Sequence, residues 1–251
     1  MKRLLLATAA LTLGSAALAQ DVIRLGTEGA YPPYNFVNDA GEVAGFEREF
    51  GDEACKRAGL TCTWTTNDWD SIIPNLQSGN YDVIIAGMSI TDERKEVVDF
   101  SQGYLQTTPS AYLALSADAD LAAGPVAAQT GTIQAAFVAE NGMQLVEYAT
   151  PEETVAAVKN GEAVAVLADS DYLRPIADES GGELVLLERM EAIGGGVGMA
   201  FRKSDTELRA KFDAAITSMK CDGTLDAMIT KPEYFGPDAP TAWGEKAKEG
   251  C

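Results

Sequence analysis

The sequence predicts an α/β protein of two similarly built lobes facing one another across a cleft, and three observations carry that prediction. A helix–glycine–strand unit occurs twice at matching length, once around Gly79 with a strand at 83–86 and again around Gly161 with a strand at 163–168. Each buried apolar strand runs straight into a polar segment, Gly87-Met88-Ser89 in the first unit and Asp169-Ser170-Asp171 in the second. In open α/β sheets ligands sit outside the carboxyl ends of the strands, so two such lobes would bring both polar segments to one cleft. A single continuous sheet is the alternative arrangement of the same elements.

In chain order, residues 1–19 combine a basic start at Lys2 and Arg3, an apolar run and a small-residue close at Ala17-Leu18-Ala19. Those are the three parts of a secretory signal peptide, so cleavage after Ala19 is expected. The apolar run is short and rich in Ala, Gly and Ser, which disfavours the other reading, an uncleaved anchor. Val22-Ile23-Arg24-Leu25-Gly26-Thr27 reads as a strand, and 46–58 as a helix with Phe46, Phe50 and Ala54 on one stripe. A short helix over 71–78 stops at Gly79 before the apolar strand that follows. Thr150-Pro151-Glu152-Glu153 supplies an N-cap, a first-turn proline and a capping-box glutamate, opening a helix through Val158. The chain would cross between lobes over 106–112 and return near 194–198, where glycine dominates. From Asp205 onward, Leu208, Phe212, Ile216 and Met219 mark a helix that packs back on the first lobe.

The formal charge of −19 argues against a nucleic-acid partner, which would need a basic stripe. Four cysteines in an exported chain read most simply as two disulfides, Cys55–Cys62 and Cys221–Cys251, with free thiols as the alternative. The second would clip down a Pro- and Gly-rich tail. There is no C-x-x-C pattern and no histidine, so neither a metal site nor a cofactor is expected. The lack of histidine also excludes Ser-His-Asp and Cys-His nucleophilic catalysis.

Four motifs follow one another along the chain: Gly26-Thr27-Glu28-Gly29-Ala30-Tyr31-Pro32-Pro33-Tyr34, Gly45-Phe46-Glu47, Asp68-Trp69-Asp70-Ser71-Ile72-Ile73-Pro74 and Met88-Ser89-Ile90-Thr91-Asp92-Glu93-Arg94. With them the chain resembles, over residues 23–235, the bacterial periplasmic polar-amino-acid-binding proteins, particularly the lysine/arginine/ornithine, histidine and arginine binders. The resemblance implies a two-lobed periplasmic binding protein fold (type II), its ligand cleft between lobes joined by a two-segment hinge. Residues 20–107 and 202–251 would form one lobe and 108–201 the other. It further implies a monomer of the periplasm that captures an L-amino acid and delivers it to the transmembrane permease of an ABC importer, with no catalytic residue. Cys55 and Cys62 also match a disulfide typical of the basic-amino-acid members.

Residue by residue, the resemblance implies that Arg94 grips the ligand's α-carboxylate, helped by Ser89. A planar fork of donors suits a carboxylate through two parallel hydrogen bonds. Read alone, Arg94 in its charged run would be a solvated helix face. Asp169 matches the anchor of the α-ammonium, the alternative being a helix N-cap, and Asp171 is a nearby candidate for the same role. Trp69 and Tyr31 match aromatic faces around the ligand side chain, against ordinary core packing. Glu28 matches an acidic position that reaches the far end of a cationic side chain, or accepts a bond from an uncharged amide. Thr130 and Thr132 lie in the turn that meets the ligand's carboxylate at a helix start. Ala86, Gly87 and Met88 complete the first-lobe segment, Ala86 and Gly87 standing where relatives often carry serine. Gly131 and Ile133 likewise replace more polar residues, leaving backbone groups for binding. Arginine, lysine or ornithine is the expected ligand, while glutamine, histidine, citrulline or an opine would meet many of the same contacts. Two other functions are compatible with the fold: a periplasmic cyclohexadienyl or arogenate dehydratase using Glu28 or Asp169, and a sensory module running on into a membrane span or signalling domain. The intact α-amino-acid grip argues against the dehydratase.

Overall fold

The computed structural model describes residues 22–106, 108–241 and 251. The signal peptide expected over 1–19 lies outside the described residues. Among those described, no helix is long and apolar enough to cross a membrane.

Two five-stranded sheets share one plan. The first runs Cys62–Thr66, Ile23–Thr27, Val83–Ile84, Ala200–Phe201, Asp99–Phe100, and the second Leu145–Tyr148, Val126–Gln129, Ala165–Asp169, Ser110–Ala114, Val185–Glu191. In each, three parallel strands adjoin two strands paired antiparallel. The repeated unit inferred from sequence is therefore two sheets rather than one. A small antiparallel sheet of Ala30–Tyr31, Asn35–Val37 and Val43–Ala44 sits beside the first.

Helix Phe46–Arg57 buries Phe46, Phe50 and Ala54 in one cluster with Phe212, Ile216 and Met219 of helix Thr206–Cys221, so the tail helix does return to the first sheet. The second core gathers Leu113, Val158, Val166 and Leu173. The capping box at Thr150 forms in full: its hydroxyl accepts the Glu153 N–H at 3.3 Å, and the Glu153 carboxylate accepts the Thr150 N–H at 3.0 Å. Two expected elements are shorter or split. The 83–86 strand pairs regularly only over Val83–Ile84, because the chain turns at Gly87, where φ is +61°. The 71–78 helix is a 3-10 turn at Trp69–Ser71 followed by helix Ile72–Gln77.

Two segments join the sheets side by side. Leu105 and Val197 bridge antiparallel, with the Val197 N–H on the Leu105 carbonyl at 2.9 Å, and Ser110 faces Glu191 further along. Both disulfides, Cys55–Cys62 and Cys221–Cys251, are present.

Candidate ligand-binding site

Strand ends from both sheets converge on one cavity. Glu28 follows strand Ile23–Thr27, Ala86 and Ser89 follow Val83–Ile84, and Arg94 comes from helix Asp92–Val97. Opposite them stand Gln129 at the end of its strand, Thr132 at the start of helix Ile133–Glu140, and Asp169 at the end of Ala165–Asp169.

Arg94 leaves the solvated face that its charged neighbours suggest. Its guanidinium donates to the Ser89 carbonyl at 2.9 Å and, across the cleft, to the Gly131 carbonyl at 3.3 Å, lying 5.3 Å from the Trp69 ring centroid. Burial pulls its pKa down to about 10, so it stays cationic at neutral pH.

Asp169 occupies the N-cap position of helix Ser170–Glu179, yet its side chain makes no cap bond. The carboxylate turns to the cavity instead and accepts the Tyr31 hydroxyl at 2.9 Å and the Gln134 amide at 3.1 Å. Burial pushes it up to about 6, the Tyr31 bond opposing and the Asp171 charge adding. Asp171 does not line the cavity and accepts from Thr108 at 2.7 Å and Tyr34 at 3.3 Å. Glu28 accepts the Gln129 amide at 2.5 Å. Burial raises it to about 7, Gln129 opposing and the Asp68 and Glu47 charges adding.

The aromatic pair divides. Trp69 is 9% exposed, packs with Ile72 and Ala86, and presents its ring to Arg94 and the cavity. Tyr31 stacks at 4.3 Å on Tyr172 of helix Ser170–Glu179, which follows a strand of the second sheet, so one of its faces is covered from across the cleft. Two expected residues stand apart from the cavity. Met88 is fully buried in the Trp69 and Ile72 cluster, because successive residues after Gly87 face opposite ways. Thr130 is held by the pairing beyond its strand, its N–H already on the Tyr148 carbonyl at 2.9 Å. Thr132 does line the cavity, with its hydroxyl engaged as helix cap to the Ala135 N–H and the Gln129 carbonyl. Gly87 also lines it, but its N–H is committed to Glu47 at 2.6 Å.

Gln129 and Ile133, at the two ends of the turn expected to meet the carboxylate, also line the cavity, as do Gln134, Pro151, Thr154, Leu167 and Ala168, which were not assigned to the site from sequence. Gln134 left a signal: it is a buried amide in the first turn of helix Ile133–Glu140, whose other residues are apolar up to the closing Glu140.

Twin α/β sheets joined by two crossing segments, with opposite charges meeting in the cavity between them, define a two-lobed binding protein. The model of the bacterial extracellular solute-binding proteins, family 3, matches residues 23–237, and this chain belongs to that family. It is similar to the L-arginine-binding protein of Pseudomonas aeruginosa, 33% identical over 248 residues that cover 93% of this chain and 95% of that one. The lysine/arginine/ornithine-binding periplasmic protein of Escherichia coli is 30% identical over 237 residues, covering 88% and 90%. Among solved structures, a periplasmic His/Glu/Gln/Arg/opine family-binding protein from Silicibacter pomeroyi in complex with lysine matches with a TM-score of 0.84 at 70% identity, covering 86% of this chain and 98% of that one.

Proposed function

We propose that this protein captures an L-amino acid with a cationic side chain, lysine, arginine or ornithine, and hands it unaltered to the permease of an ABC importer. It does so as a periplasmic monomer, with 20–107 and 202–251 as one lobe and 108–201 as the other. The carrying observation is that a guanidinium and a carboxylate from opposite sheets, Arg94 and Asp169, face one cavity, and that the carboxylate forgoes its local role as a helix cap to do so. An α-amino acid presents the complementary pair of charges. Glu28, a third charge in the same cavity, reads the far end of the side chain, and Trp69 flanks it. A ligand that bridges both lobes stabilises the closed form because it has contacts there that the open form lacks. The 70% identical protein solved with lysine supports this choice of ligand.

The test is thermal unfolding of protein that has been denatured, freed of carried ligand and refolded, screened against the common amino acids and followed by calorimetry. Saturating ligand must raise the apparent stability of a receptor. Shifts with lysine, arginine or ornithine are expected. Shifts with neutral amino acids alone would discard the role given to Glu28. Turnover of prephenate or arogenate, with no amino-acid shift, would replace the receptor by an enzyme.

A further inference from the structure

The first lobe holds another buried carboxylate, one that the cavity does not use. Glu47, in the first turn of helix Phe46–Arg57, and Asn35, in the small sheet, are both fully buried. Glu47 Oε1 accepts the Gly87 N–H at 2.6 Å and the Tyr104 hydroxyl, while Oε2 accepts Asn35 Nδ2 at 2.7 Å. Asn35 Oδ1 in turn accepts the Gly29 N–H at 2.6 Å. These contacts reach three places that matter. Gly29 lies between Glu28 and Tyr31, Gly87 lies two residues before Ser89, and Tyr104 adjoins Leu105, where the crossing segments bridge. A buried ion persists only where donors replace its lost hydration, and packing alone would have been served by an apolar residue.

We infer that Glu47 and Asn35 are positioning residues of the binding site, holding the 28–31 and 87–89 loops in one geometry from behind without touching the ligand. The effect on affinity rests on the amino-acid-binding reading above; the clamp itself does not.

The bond pattern supplies the test. In Glu47→Gln, Oε1 keeps Gly87 and Tyr104, but the new Nε2 meets the Nδ2 donor of Asn35. Turning the Asn35 amide moves the clash onto the Gly29 N–H, and turning the new amide moves it onto Gly87 and Tyr104. Adding Asn35→Asp makes that partner an acceptor and restores every bond. The measurements are amide hydrogen exchange at Gly29 and Gly87 and the Kd for lysine, with Val158→Ala in the second core as a variant of matched stability loss. Glu47→Gln is expected to speed exchange at both glycines about tenfold and to raise Kd about tenfold, the scale of one lost buried hydrogen bond. The double variant returns both to within about threefold, and Val158→Ala moves neither. Unchanged exchange in Glu47→Gln overturns the clamp. Faster exchange with a Kd no worse than that of Val158→Ala overturns the positioning role, and a double variant no better than the single overturns the pairing. If Glu47→Gln does not fold, the double variant decides: it must fold with wild-type exchange and Kd. Wild-type protein that binds no basic amino acid counts against the proposed function, while the exchange rates still decide the clamp.

Discussion

Glu47 and Asp169 are both carboxylates that burial raises above their ordinary range, yet their surroundings differ. Glu47 accepts from a backbone N–H, a tyrosine hydroxyl and an asparagine amide. Asp169 accepts from Tyr31 on one oxygen and Gln134 on the other, although an ionised carboxylate offers about four acceptor sites. Glu47 is close to saturated from within the protein, whereas Asp169 keeps capacity on the cavity side. Burial alone therefore does not tell the two carboxylates apart; acceptor capacity left over toward the cavity does, and the role proposed for Asp169 rests on it.

The largest expected effect breaks the pair apart. Asp169→Asn should cost about 2–5 kcal/mol of lysine binding by calorimetry, much of it from leaving the ligand's ammonium without its counter-charge. The same variant should raise the melting temperature of ligand-free protein, because it removes a buried charge whose donors are too few. Glu47→Gln should lower that temperature, since it breaks a filled set. Shifts of the same sign in the two variants would erase the distinction. Arg94→Ala, on the facing lobe, should lose a comparable 2–5 kcal/mol by stranding the ligand's carboxylate.

Acidity sharpens the contrast next. Asp169 stands at about 6 against an ordinary 3.8, and Glu28 at about 7 against 4.5. Between those values the folded chain holds protons that the unfolded chain has released. Stability from these groups is therefore complete below their unfolded values and is lost as pH rises through the folded ones. Ammonium capture needs ionised Asp169, so affinity should move the other way and weaken as pH falls below about 6. Melting temperature and affinity, followed from about pH 4 to pH 8, should trend in opposite directions, so that Tm and Kd both fall as pH rises; affinity indifferent to pH would count against Asp169 as the ammonium partner.

Glu28→Gln is smaller and selective. It should weaken lysine and arginine about tenfold, roughly the scale of one partly solvated charge contact, and leave glutamine unchanged in competition calorimetry. Equal losses for charged and neutral ligands would reassign Glu28 from reading charge to shaping the cavity.

How much was legible in the sequence is clearest at two helix starts in the second lobe. Thr150 caps as its local pattern says, because its partner Glu153 lies three residues away. Asp169 sits in an equally suitable cap position and does not cap, because the choice is made by Tyr31 and Gln134, which only the fold brings to it. The repeated α/β unit, the crossing segments and the tail helix were legible because each rests on periodicity or on glycine. Met88 and Thr130 fall outside the cavity lining, because a motif says which residues are neighbours but not which way each one faces. The Glu47 set was invisible, since its donors Asn35, Gly87 and Tyr104 come from three separate stretches of chain.

The smallest effect concerns the far end of the helix that carries Glu47. Cys55 lies near the last turn of Phe46–Arg57 and bonds Cys62, which opens strand Cys62–Thr66. That strand runs parallel to Ile23–Thr27 and pairs Ile23 with Cys62 but Thr27 with Thr66, so the disulfide lies at the opposite end of the strands from Glu28. With a sequence separation of 7, its closed loop is short, and loop entropy assigns it about 2 kcal/mol of stability. The double Cys55→Ala, Cys62→Ala variant should lose about that much in denaturant unfolding and keep its lysine Kd within about twofold. A tenfold weaker Kd would mean that loosening one end of the helix moves Glu47 at the other. The clamp behind the 28–31 and 87–89 loops would then depend on the sheet edge, and the division between a saturated structural carboxylate and an open ligand-facing one would no longer be a local property of either residue.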